Sequence, residues 1–189
     1  MTHLATEPCP GEGEAPYPAP GPVEDAETLV RFISTRKDTI WDGVTMRVSP
    51  GSFSSDDIKG AKGRNGVERS VSMFRRECTL SAELFARAER TNKETDWIGC
   101  PVVALTTAAF VRKMRDGAER REFCVYAEPV DEADDPSGPC TTHAGLKRSK
   151  PERPDEQRVN KNILRDRLAG AFDELRHLRP DGSVGGMVA

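Results

Sequence analysis

Trp97-Ile98-Gly99-Cys100-Pro101-Val102-Val103-Ala104-Leu105 is the most continuous apolar run in the chain, and its reading decides the fold. Apolar side chains on both alternating faces predict a strand covered on both sides. Pro101 argues the other way, because proline lacks a ladder donor and favours sheet edges or bulges. Downstream, Thr107 to Asp116 reads as a helix with Phe110, Val111 and Met114 on its apolar side and Gly117 at its end. Phe123 to Ala127 reads as the next strand. An acidic loop follows from Glu128 to Asp135, then Pro136-Ser137-Gly138-Pro139, then a strand from Thr142 to Leu146. A helix of this length between two apolar strands allows a parallel, right-handed crossover.

Upstream of that run, Thr28 to Ser34 and Val44 to Val48 have the composition of short strands, and Arg69 to Phe74 alternates as a third. Ser81 to Thr91 reads as a helix with Leu84, Phe85 and Ala88 facing inward. Asp56 to Glu68 is loop-like. Lys147 to Lys161 is basic and contains prolines, as linkers do. Leu164, Leu168, Ala171, Phe172, Leu175 and Leu178 then recur at helical spacing, which predicts a helix over 162–178. The fold expected is α/β or α+β: one domain over residues 28–179, a single mixed β-sheet of about five strands with about three packed helices. Its core should hold Leu84, Phe85, Val102, Val103, Phe110, Val111, Val125, Leu168, Phe172 and Leu175.

Charge is unevenly distributed. The first 30 residues carry six acids and neither Lys nor Arg, whereas the rest carry 28 basic against 25 acidic residues. Residues 1–27 are also rich in proline and glycine, which predicts a disordered acidic tail suited to docking on a protein partner. Residues 180–189 are expected to be a flexible C-terminus. No segment approaches the roughly 20 apolar residues needed to span a bilayer, which excludes a membrane partner by that route. The start of the chain has neither the basic end nor the apolar centre of a secretory signal. Five irregularly spaced cysteines do not form a disulfide framework, so a reducing, cytoplasmic setting is expected.

Three constellations carry chemistry. Cys140-x-x-His143 has half the spacing of a zinc site and would need Cys100 and Cys124 to complete it. His143 is also the one credible imidazole base, and Ser70, Ser72 and Cys140 are the nucleophiles it could serve. Lys59, Lys62, Arg64 and Arg69 surround a glycine-rich loop that could meet a nucleic-acid backbone.

Arg31 on the first strand, Ser54 or Ser55 after Phe53, and Glu128 on a later strand resemble in order the Arg…Ser…Glu arrangement of ADP-ribosyltransferases. That resemblance implies that Arg31 and the serine hold a nucleotide substrate and Glu128 stabilises a developing ribosyl cation. Residues 29–178 as a whole resemble a group of small uncharacterised bacterial proteins with no established activity. The shared features are Leu29-Val30-Arg31, Pro50-Gly51-Ser52-Phe53, Ser70-Val71, Glu128-Pro129 with Asp131, and His143-Ala144. The reading that follows is a small cytoplasmic accessory protein, from a mobile-element or defence gene cluster, acting through a protein partner. The alternatives are an enzyme using Arg31, Glu128 and His143 on a nucleotide-type substrate, and a weak nucleic-acid binder. The sequence names no cofactor.

Overall fold

The computed structural model describes residues 9–62, 68–94, 101–117, 119–130, 140–149, 161–172 and 174–187. Among them the strands are β1 (Thr28–Ile33), β2 (Thr39–Trp41), β3 (Met46–Val48), β4 (Val71–Arg75), β5 (Val102–Thr107), β6 (Phe123–Ala127), β7 (His143–Arg148), β8 (Glu174–Leu178) and β9 (Val184–Met187). The helices are α1 (Ser55–Lys59), α2 (Ser81–Glu94), α3 (Ala108–Lys113) and α4 (Lys161–Ala171). Seven strands form one sheet in the order β6-β7-β4-β1-β5-β8-β9, and β2 and β3 make a separate hairpin.

Every named strand pairing is antiparallel. The class is therefore α+β, and the sheet is antiparallel and larger than the mixed one of about five strands that the sequence suggests. The expected parallel crossover is absent because β5 and β6 are not neighbours. After α3 the chain carries β6 to the far edge of the sheet, where it pairs with β7. Pro101 does not disturb β5, since it precedes the strand and its carbonyl accepts the Leu178 N–H at 2.8 Å. Trp97 to Cys100 lie outside the described residues.

Residues opposite one another in an antiparallel pair share a face, which sorts the core into two layers. The first face carries Leu29, Ile33, Met73, Ala104 and Val125, covered by Phe53, Ile58, Leu168 and Phe172. The second carries Val30, Phe74, Val103 and Leu105, covered by Leu84 and Ala88 of α2.

The helix expected over 162–178 stops at Ala171, and its last third is strand β8. Leu175 is buried on the first face and Leu178 on the second. A strand buried on both faces places residues three apart in opposite cores, so it mimics the i, i+3 spacing of a helix. β9 then pairs with β8, which removes 184–187 from the expected flexible C-terminus. Phe110, expected in the core, is 53% exposed.

The larger correction concerns the N-terminus. Residues 9–27, expected as a disordered tail, lie along the domain as a strap. Cys9 is disulfide-bonded to Cys124 across 115 residues of sequence. The Glu12 carboxylate is 3% exposed, and its Oε1 accepts from Arg112 Nε at 2.9 Å, Arg121 Nη2 and the outward N–H of edge strand β6 at Val125 (2.8 Å). Glu27 takes both Arg75 Nε (2.7 Å) and Nη2 (2.6 Å), while Arg75 also donates to the carbonyls of Gly21 and Pro22. Composition reports the tail's acids but not the distant arginines that answer them. The bridge also removes the cysteine argument for a reducing compartment. Among the described residues no helix is long and apolar enough to cross a membrane.

Candidate active site

On the second face, beyond the part that α2 covers, β4, β7 and β6 bring a polar cluster together. The register sets Ser72 and Tyr126 opposite Gly145, Phe74 opposite His143, and Cys124 opposite Lys147. All these residues therefore occupy the same face. Glu128 follows β6 directly, and its N–H donates to the His143 carbonyl at 3.1 Å.

Gly145 is the floor of the cluster. A Cβ there would coincide with the Glu128 carboxylate and come within 2.7 Å of the Ser70 hydroxyl. A glycine inside a strand marks this kind of close approach. Over it, Ser70 Oγ donates to Glu128 Oε2, and Glu128 Oε1 pairs with Lys147 Nζ at 2.9 Å. Lys147 also lies 5.3 Å from the centre of the Tyr126 ring.

His143 is 5% exposed, and both ring nitrogens are engaged. Nδ1 is 2.8 Å from the Glu128 carbonyl, and Nε2 is 2.6 Å from Ser72 Oγ. A carbonyl can only accept, so Nδ1 carries the proton and the neutral ring presents Nε2 as an acceptor. Ser72 therefore donates its hydroxyl proton toward Nε2. Burial holds the imidazole below its ordinary pKa, against the opposing pull of the Glu128 carbonyl and carboxylate. The Phe74 ring meets the imidazole edge-on at 5.8 Å and stacks on Phe32 at 4.5 Å. Ser72 itself is exposed to solvent. A buried neutral base behind an exposed hydroxyl, with the base oriented by a third group, is the arrangement that nucleophilic catalysis requires.

Of the expected trio, Glu128 and His143 meet, whereas Arg31 does not join them. Arg31 shares the face of Leu29 and Ile33, and its guanidinium lies 4.9 Å from the centre of the Phe53 ring. It donates to the main-chain carbonyls of Ser72 (3.1 Å) and Ser52 (2.6 Å). The β1–β4 register runs through Leu29↔Arg75 and Val30↔Phe74, and Arg31 reaches the Ser72 carbonyl beyond it. Ser54 caps α1 by accepting from Asp56 and Asp57, on the side of Ile58 and the first core. The Arg…Ser…Glu order of the sequence is thus not a cluster in space.

The zinc set is corrected. Cys124 is bridged to Cys9, Cys140 is fully buried with its thiol pKa pushed up by burial, and both nitrogens of His143 are taken. Cys100 lies outside the described residues, among which no group of His, Cys, Asp or Glu could hold a metal. In the basic loop, Lys59 and Lys62 are exposed, Arg69 faces Asp57 at 3.9 Å, and Arg64 is outside the described residues. So are residues 131–139 of the acidic loop.

Two participants escape the sequence reading. Lys147 falls in the expected linker but belongs to β7. Gly145 carried the available signal, as a glycine between apolar strand positions. Comparison with protein-family models, curated proteins and solved structures finds no match for this chain.

Proposed function

We propose that the chain is an enzyme in which Ser72 is the nucleophile and His143 its base, acting on an electrophilic carbonyl or phosphoryl centre. The observation that supports this most is the 2.6 Å contact from Ser72 Oγ to a histidine nitrogen that must be its acceptor. As Ser72 Oγ bonds to the substrate, its proton passes to His143 Nε2. The bond to the leaving group then breaks, and that proton goes to the leaving group. Water releases the Ser72 adduct by the same route in reverse, giving its proton to Nε2 as its oxygen attacks. The Glu128 carbonyl on Nδ1 and the nearby Glu128 carboxylate both favour the transient imidazolium. Glu128 is thus a positioning residue, and Lys147 and Ser70 hold its carboxylate in place.

An aryl fluorophosphonate tests the reading, since it loses fluoride as a serine oxygen bonds to phosphorus. The expected result is one adduct, located by peptide mass on Ser72 and absent from S72A. H143Q should react at least about a hundredfold more slowly. An adduct elsewhere, or an H143Q rate equal to the wild type, would overturn the assignment.

A second reading, action through a protein partner, moves from the acidic tail to the β2–β3 hairpin. Glu12, Asp25 and Glu27 of the tail pair with arginines of the same chain, whereas Ile40, Trp41 and Val44 are 48%, 58% and 80% exposed. Large apolar side chains gathered on one exposed hairpin favour a contact surface. W41A with V44S should abolish a co-purifying chain and leave Ser72 labelling unchanged; retention of that chain would remove the hairpin from consideration.

A further inference from the structure

At the other end of β4 the same face of the sheet opens into a groove of about 480 Å³. Ser72 and Arg76 lie four residues apart, about 13 Å along extended chain, so the groove is separate from the serine–histidine pair. Its volume lies within the range of small-molecule sites. Thr28, Arg76, Phe110 and Arg176 are among its lining residues, over a floor that includes Leu105 and Val184.

The chemistry of these walls is specific. Two guanidinium groups face one carboxylate, that of Glu174, whose Oε2 is 3.6 Å from Arg176 Nε. The lining therefore keeps one net positive charge. Arg76 uses its backbone N–H on the Thr28 carbonyl at 3.0 Å, but its side chain has no hydrogen-bond or ion-pair partner among the described residues. A planar guanidinium at a concave surface, with no carboxylate of its own, is built to receive an oxyanion. Beside it, Phe110 leaves 53% of its surface exposed on a helix whose neighbours Ala108 and Val111 are fully buried. An aromatic ring left open at the lip of a groove calls for an apolar cover.

We infer that this groove is a binding site for a small organic monoanion: a carboxylate carried on an aromatic or similarly bulky apolar body. The carboxylate lies between Arg76 and Arg176, the hydroxyl of Thr28 is at hand for a remaining lone pair, and the apolar body rests on Leu105 and Val184 under Phe110. One net positive charge suits a single carboxylate, whereas a phosphate dianion would leave a charge unanswered. Glu174 sets the strength of the site by competing for Arg176.

The test uses 1-naphthoate as the probe, with 1-naphthalenemethanol as its neutral counterpart. Both are titrated into the full chain and followed by the backbone amide resonances of Thr28, Thr106, Thr107 and Gly185. The expected result is saturable shifts centred on those amides with 1-naphthoate, and binding of the alcohol at least about tenfold weaker. R76Q combined with R176Q weakens 1-naphthoate by about tenfold or more, and F110A weakens it less. E174Q should tighten binding by about threefold, a gain that loss of folding cannot imitate. Three results would overturn the site: no saturable shifts, equal binding of acid and alcohol, or an E174Q protein that binds no more tightly than the wild type.

Discussion

The strap and the open cluster around His143 use their charged and polar groups in opposite ways. On the side of the strap, Arg75 is 2% exposed and its guanidinium is filled by Glu27 and two main-chain carbonyls. Arg112 is likewise tied to Glu12, Asp25 and the carbonyl of Val23. Those groups fasten one part of the chain to another. On the second face, Ser72 points to solvent and donates to a base whose other nitrogen is anchored. A buried ion pair with its hydrogen bonds made is fixed in one state. A neutral imidazole beside an exposed hydroxyl has a second protonation state within reach, and chemistry needs that second state.

Breaking a fastening should therefore cost stability, whereas altering the open cluster should mainly cost reactivity. The largest effect is expected from E27A, which leaves Arg75 buried without its carboxylate. Denaturant unfolding should show a loss of about 3 kcal/mol or more. A loss below about 1 kcal/mol would mean that the strap is not held by this pair. G145A comes next. The added methyl displaces Glu128 and Ser70, and overpacking of that kind costs about 1–3 kcal/mol. Fluorophosphonate labelling of Ser72 should fall in the same variant, because the Glu128 main chain that orients His143 must shift. Wild-type labelling in G145A would separate Ser70 and Glu128 from the site.

The smallest effect is one of pH. His143 is held below its ordinary value when folded, by burial above all, so the unfolded chain takes up a proton first as the solution is acidified. Stability conferred by keeping the ring neutral is present above the ordinary histidine value of about 6.5 and declines as pH falls from there toward the folded value. H143Q should flatten that part of the stability profile. An unchanged profile would place the imidazole in solvent.

Part of this architecture is legible in the sequence, for reasons that particular residues make clear. β4, β6 and β7 announce themselves by alternation or by continuous apolar character, and His143 stands out as the imidazole of a strand. Ser70 and Ser72 are recognisable as hydroxyls two apart, hence on one face. The pairing of β4 with β7, which puts Ser72 within reach of His143 from 71 residues away, has no local signal. Nor does the strap, since Glu12 and Arg112 are 100 residues apart. β8 misleads because Leu175 and Leu178 satisfy a helical spacing while serving two different cores. Phe110 misleads because an apolar residue on an apolar helix stripe is usually covered, and here it borders a groove.

The most direct measurement is the nitrogen-15 spectrum of His143 at neutral pH, assigned by comparison with H143Q. The ring should be neutral and protonated on Nδ1, with Nε2 at the resonance of an unprotonated nitrogen that moves when Ser72 is changed to alanine. A ring protonated on Nε2, or one charged at neutral pH, would leave Ser72 without a base and contradict the account.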